Sequence, residues 1–291
     1  MNRTITYYID SNTCGVSVYD YLKSMDYSSK CITELKKMNR SICIQNEWVY
    51  LNRILQVDDI LTIHIEESTS SSILPKPMEL SIVYEDEDLL VINKPANLPV
   101  HPSQSHYEDT LANGVMDYYS TQGVPYTFRC INRIDRDTTG LVLLAKHLVS
   151  AAILGKMVAT RQIKREYLAL VEGIPTPAAH TIIAPIARTG DSTIMREVNM
   201  TQGDTAITYY QTLATYDNGA LLQLTLETGR THQIRVHMSY IGHPLRGDSL
   251  YNPNAFIEDS LALHSAKLTF EHPIKKELLV LEAPLPLLWT V

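Results

Sequence analysis

The chain has 291 residues, 45% of them apolar, a net charge of −7 and a pI near 5.8. That is enough for one large domain or two unequal ones, and the bulk charge alone argues against nucleic acid as a partner. No run approaches the roughly 18 consecutive apolar residues of a membrane span, the start MNRTITYYIDSNT lacks the apolar core of a signal peptide, and Cys14, Cys31, Cys43 and Cys130 stand too far apart for a zinc knuckle or a disulfide framework. A reducing cytoplasm suits such a chain.

In chain order, residues 17–39 read as two helices. Val18, Tyr21, Leu22 and Met25 recur at helical spacing, Ser28 and Ser29 are candidate caps, and Lys36 and Lys37 suit a C-terminus. From Ile42 the period falls to two, with a turn at Gln45-Asn46-Glu47 and a last strand over Ile60–Ile65. Helices followed by a hairpin, closing on V-x-x-x-D-x-I, resemble the small RNA-binding domain of the ribosomal-protein S-four type, with Asp58 where glycine is usual before the final Asp. Residues 67–78, ESTSSSILPKPM, read as an exposed linker. The expected organisation is therefore 1–66 as a small RNA-binding-like domain, 67–78 as linker and 79–291 as a larger domain.

Beyond the linker the pattern is rich in strands: Leu80–Tyr84, Leu89–Asn93, Gly140–Ala145, Tyr167–Glu172, Thr208–Thr215, Ala220–Leu226 and Leu263–Phe270. Helices are expected at Leu111–Tyr119, Val149–Thr160 and Thr231–Tyr240. Strands with interspersed helices and no βαβ regularity predict an α+β fold with a mixed or antiparallel sheet.

Charge is unevenly spread. Residues 79–90 hold five acidic residues and no basic one, whereas 129–165 hold eight Lys or Arg against two Asp. Lys146, Lys156, Arg161, Lys164 and Arg165, joined by Arg230, Arg235 and Arg246, are expected to line one cleft and track phosphates.

Four stretches carry chemistry. NKPANLPVHPS (93–103) reads as a rigid loop with Asn97 suited to a left-handed turn. In INRIDRDTTGLVLLAK (131–146), Asp135 lies between Arg133 and Arg136, whose guanidinium groups would hold its carboxylate charged for work as nucleophile or base; an ordinary ion pair in a turn is the plainer alternative. In IKREYLALVEG (163–173), Tyr167 can stack on a base while Lys164 and Arg165 hold phosphates, or simply fill a core. In TLETGRTHQIRVHMSYIGHPLRGDSLY (225–251), Thr231 can cap a helix that carries Arg235. His232 and His237, five apart, do not share a helical face as a zinc pair would, and no metal site is expected.

NRIDRDTTG, KREYLALVEG, TGRTHQIRVH, GHPLRGD and LHSAKLTFEHP, in this order, resemble the RluA family of pseudouridine synthases. Its usual motifs are H-R-L-D-x-x-T-S-G, K-x-Y-x-A-L-V-x-G, T-G-R-T-H-Q-I-R-V-H, G-H-P-I-x-G-D and L-H-A. This chain departs from them at Asn132 for His, Ile134 for Leu, Thr139 for Ser, and Asn97 for the glycine of a K-P-A-G loop. The resemblance implies isomerisation of uridine in structured RNA without metal or organic cofactor. Asp135 would be catalytic, either by attacking the nucleotide or by taking the ribose 2′ proton. It further implies that Arg235 pairs with that Asp, that Tyr167 stacks on the target base and that Arg133 fills the space left by the extruded uridine, with Lys164 and Arg230 as further substrate contacts. Ribosomal RNA is the expected target and tRNA the second choice, acted on by a cytoplasmic monomer without membrane association. The competing readings are an RNA-binding protein without activity and a hydrolase with a carboxylate nucleophile.

Overall fold

A computed structural model describes residues 2–68, 72–103, 106–190, 192–255, 260–286 and 289; part of the Ser-rich stretch, 69–71, lies outside them. The chain begins with strand β1 (Asn2–Tyr8), then α1 (Val18–Ser24), α2 (Ser29–Lys37), β2 (Ile42–Ile44), β3 (Glu47–Trp48) and β4 (Ile60–Glu66), which form a four-stranded sheet ordered β1-β4-β2-β3. Ser17 and Ser28 cap the two helices by accepting from the amides of Asp20 and Cys31. Gln45 and Asn46 both take positive φ, 45° and 65°, which turns β2 tightly into β3. Asp58 has φ 71°, the left-handed geometry for which glycine is favoured.

The second sheet has nine strands. In chain order they are β5 (Ile82–Glu85), β6 (Leu89–Lys94), β7 (Thr139–Ala145), β8 (Lys164–Glu172), β9 (Ala179–Ile183), β12 (Ile207–Tyr216), β13 (Gly219–Leu226), β14 (Leu263–Glu271) and β15 (Leu278–Glu282), and β10 (Ile186–Arg188) and β11 (Arg196–Val198) pair separately. The spatial order is β5-β6-β7-β14-β8-β13-β12-β9, with β15 pairing the later part of β14 beyond its short seam with β7. β7 and β14 run parallel while the other pairs are antiparallel, so the fold is α+β with a mixed sheet. At the parallel seam the strands approach so closely that a Cβ on Gly140 would lie 2.2 Å from the Ser265 carbonyl oxygen.

Both faces of this sheet are covered, which explains why β7 reads as an unbroken apolar run. Leu141, Leu143 and Ala145 join one core with α4 (Leu148–Ala159), and that core continues into Ile5, Leu22, Leu35 and Ile63 of the N-terminal sheet. Val142 and Leu144 join the other, with α3 (Leu111–Thr121), α5 (Gln233–Tyr240), Tyr167 and Leu263. Ion pairs also cross between the two sheets' segments: Arg3 to Asp88, Arg129 to Glu67 and Lys156 to Asp26. No helix among the described residues is long and apolar enough to cross a membrane.

Candidate active site

The segment entering β7 forms the floor of a cleft of about 610 Å³, lined by residues 130–135 and 138, His101, Arg165, Tyr167 and the 229–235 turn. Its backbone is fixed from below. Asn132 is buried, donates to the Leu141 carbonyl (3.1 Å) and accepts from the Leu143 amide (2.6 Å), stapling the loop to the strand it precedes. Lys94, at the end of β6, is fully buried and donates to the carbonyls of Pro95 (2.7 Å) and Arg136 (2.8 Å). Burial pushes its pKa down to about 7, opposed by the nearby carboxylates of Asp137 and Asp135. Asn97, at φ 59°, turns the chain so that the Leu98 amide reaches the same Arg136 carbonyl. The NKPAN loop is thus rigid, and it braces the Asp135 loop.

Asp135 is held in place with its side chain 26% exposed to the cleft. Its Oδ2 lies 3.5 Å from Arg235 Nη1 and 3.9 Å from His232 Nε2. Arg235 is anchored by Asp248, which accepts from Nε (2.9 Å) and Nη2 (2.7 Å), while Asp248 Oδ1 also receives the amides of Leu250 and Tyr251. Nη1 is thereby left facing Asp135. The flanking arginines do not supply this contact. Arg136 holds Asp137 at 2.8 Å, and Arg133 stands exposed at the cleft rim with no ion-pair partner among the described residues. The i±1 and i±2 neighbours in a turn diverge; the pairing guanidinium comes from a helix a hundred residues away.

Tyr167 lies on β8 with its ring buried against the cleft floor; burial raises its pKa, Asp135 adds to the rise, and Arg165 opposes it. Arg165, two residues earlier, shares that face and rests over Gly229, where a Cβ would lie 3.0 Å from its guanidinium. Lys164 does not line the cleft. Strand alternation turns it to the opposite face with Glu166, which bonds to Gln223. Period-two reasoning outward from Tyr167 would have picked Arg165 instead.

The expected phosphate track is smaller than its sequence suggests. Lys146 is buried against Glu85 (2.8 Å), Arg129 pairs with Glu67, Lys156 with Asp26 and Arg161 with Glu227. Arg246 is exposed outside the cleft lining. The cations that line the cleft are Arg133, Arg165, Arg230 and Arg235; Arg230 also donates to the Thr205 carbonyl and lies 3.5 Å from Asp204.

Thr231 does not cap the helix. α5 starts at Gln233 after His232, which takes a left-handed φ of 57° and makes no capping bond. The Gln233 side chain instead accepts from the Arg230 amide (3.0 Å) and the Thr228 hydroxyl (2.8 Å), tying the turn together. His237 is buried elsewhere, between the Thr208 hydroxyl and the Ala184 carbonyl. Thr139 keeps a hydroxyl where it departs from the family's serine, and bonds to His264 at 2.8 Å.

Residues 88–240 match the family model described as RNA pseudouridylate synthase. The Bacillus subtilis protein named uncharacterized RNA pseudouridine synthase YjbO is 40% identical over 93% of this chain and 96% of its own length. Ribosomal large subunit pseudouridine synthase D of Haemophilus ducreyi is 40% identical over 73% of this chain and 69% of its own. The solved structure of human RNA pseudouridylate synthase domain containing 1 superposes with a TM-score of 0.60 at 26% identity, covering 73% of this chain and 87% of that one. With a family model spanning over half its length and a relative this similar along nearly all of it, the chain belongs to the RNA pseudouridine synthases of the RluA type, which isomerise uridine in RNA to pseudouridine.

Proposed function

We propose that Asp135 performs the chemistry, on uridines in structured ribosomal RNA. The observation that carries this reading is the one-sided grip on its carboxylate: Oδ2 faces Arg235 and His232 while the group stays open to the cleft. The reaction breaks the bond from uracil N1 to C1′ of the ribose, turns the base and joins its C5 to the same C1′. The proton on C5 leaves to solvent and a proton returns to N1, so nothing is oxidised or reduced. Asp135 starts it by attack on the nucleotide or by taking the 2′ proton; both use a positioned carboxylate.

Tyr167 offers its ring to the extruded base and Arg133 its side chain to the vacated stack, while Arg165 and Arg230 meet flanking phosphates. Lys164, turned to the far face of β8, stands apart from the cleft lining. A ribosomal target is supported by a relative named for the large ribosomal subunit, with tRNA the alternative. Residues 1–66 are proposed as an RNA-binding unit, 67–78 as its connector and 79–291 as the catalytic unit, in a monomer that works in the cytoplasm.

Tritium release from RNA carrying 5-tritiated uridine tests the reading. Wild type should release tritium and Asp135→Asn should release none while keeping its thermal midpoint. Release by that variant would remove Asp135 from the mechanism, and a silent wild type across ribosomal and transfer RNA would favour a binding protein.

A further inference from the structure

His232, on one side of the grip on Asp135, forms a unit with Tyr251. The imidazole sits at the turn into α5 in a left-handed backbone conformation, rare for a non-glycine residue, that persists only where its surroundings hold it. Here Tyr251 holds it, with the rings edge to face at 5.6 Å and the Tyr251 hydroxyl 2.8 Å from His232 Nδ1. Tyr251 is itself fixed. Its hydroxyl accepts from the Arg196 amide (2.9 Å), its own carbonyl accepts from Ser239, and the Arg235 guanidinium lies 5.2 Å from its ring centre.

These contacts decide where the imidazole proton sits. A tyrosine hydroxyl has one proton to give. With the Arg196 amide on one lone pair, that proton has one acceptor among the described residues, His232 Nδ1. Nδ1 is then the acceptor and the ring proton sits on Nε2, which faces Asp135 Oδ2 at 3.9 Å. The other tautomer would strand the hydroxyl proton and aim a lone pair at a carboxylate oxygen. Burial pushes the ring's pKa below its ordinary value, with Arg235 and Arg196 adding to the fall and Asp135 opposing it, which supports a neutral ring.

We propose that His232 is a positioning residue whose Nε2–H, set by the Tyr251 hydroxyl, points its dipole at Asp135 Oδ2 across 3.9 Å, favours that oxygen's place beside Arg235 and leaves Oδ1 to the nucleotide, so that the imidazole acts as an oriented N–H group and not as a general base. This rests on the assignment of Asp135 as catalytic.

Two measurements on the full chain test it. In protein labelled with nitrogen-15 at histidine, long-range proton–nitrogen correlation at neutral pH should show His232, assigned from its own backbone resonances, as the Nε2–H tautomer. Tyr251→Phe should shift it toward the Nδ1–H form and lower kcat about 100-fold, as small misplacements of a catalytic group do, with KM for RNA unchanged. His232→Gln, which keeps an N–H donor, should retain more activity than His232→Leu. An Nδ1–H or doubly protonated ring in the wild type overturns the proposal, as do equal losses in the Gln and Leu variants, or a Tyr251→Phe protein that keeps both tautomer and kcat. Tritium release by Asp135→Asn would instead sink the parent assignment and leave the tautomer result standing.

Discussion

Asp88 and Asp135 are built from the same parts and end in opposite conditions. Each carboxylate meets one arginine, and Asp88 faces two imidazoles where Asp135 faces one. At Asp88 the side chain is fully buried, with Arg3 Nε at 2.8 Å, His147 Nε2 at 2.8 Å and His272 Nε2 at 3.9 Å. His147 accepts the Ser150 amide at Nδ1 and therefore donates from Nε2; His272 accepts the amides of Ile274 and Lys275 in the same way and donates to Asp86. At Asp135 the contacts are longer, 3.5 and 3.9 Å, and a quarter of the side chain is open. A closed set of short bonds makes a carboxylate structural, and a loose one-sided set leaves it able to react. Residue type does not separate the two; unfilled acceptor capacity does.

Exchanging each Asp for Asn should give opposite phenotypes. Asp135→Asn should abolish turnover with little change in stability. Asp88→Asn should cost about 1–3 kcal/mol, because the buried bonds from Arg3 and His147 lose their charged acceptor while Arg3 keeps the exposed Glu87, and the protein that remains folded should turn over normally. Urea unfolding and tritium release on both variants make the comparison, and a stable Asp88→Asn protein would break it.

Acid should expose the same contrast at smaller amplitude. Burial works to raise the Asp88 pKa, but the hydrogen bonds from His147 and Arg3 and the charge of Arg3 outweigh it and hold the pKa below its ordinary value. A depressed carboxyl contributes stability above its unfolded pKa near ~3.9 and loses it as pH falls through the folded value. The gap in Tm between wild type and Asp88→Asn should therefore be full at neutral pH and close as the pH drops below about 4. A gap independent of pH would mean that the charge is not what Asp88 contributes.

The smallest effect concerns the two faces of β8. Arg165→Ala should lower the slope of RNA affinity against salt by about 0.7, the value of one phosphate contact on a single strand, and Lys164→Ala should leave it alone. Equal slopes for the two variants would count against the cleft as the path of the RNA backbone.

Much of this was legible in the sequence. Ser28, Lys36 and the Gln45-Asn46 turn act locally, and the large domain's buried strands announce themselves through apolar runs. Strand β1 was missed because only Ile5 of its seven residues is buried, and β9, β10, β11 and β15 because they are short or largely exposed. In the cleft, Asp135, Tyr167 and Arg235 stand in motifs and were found. Lys164 and Arg165 read alike as phosphate contacts, and only strand parity separates them. Spacing alone pairs Asp135 with its neighbours in sequence, which turn geometry sends apart; Arg235 is named as its partner through the motif resemblance. His232 and Tyr251, nineteen residues apart, meet only through a left-handed turn that no local pattern reveals.

The Asp88 nest also has a place in time. Arg3 and His272 lie far apart along the chain and are synthesised tens of seconds apart at roughly 5–20 residues per second. Until His272 arrives, the carboxylates at 86 and 88 lack one of their donors. The nest therefore closes only once His272 has been made, and a nascent chain that stops short of it carries an unfinished joint between its two sheets.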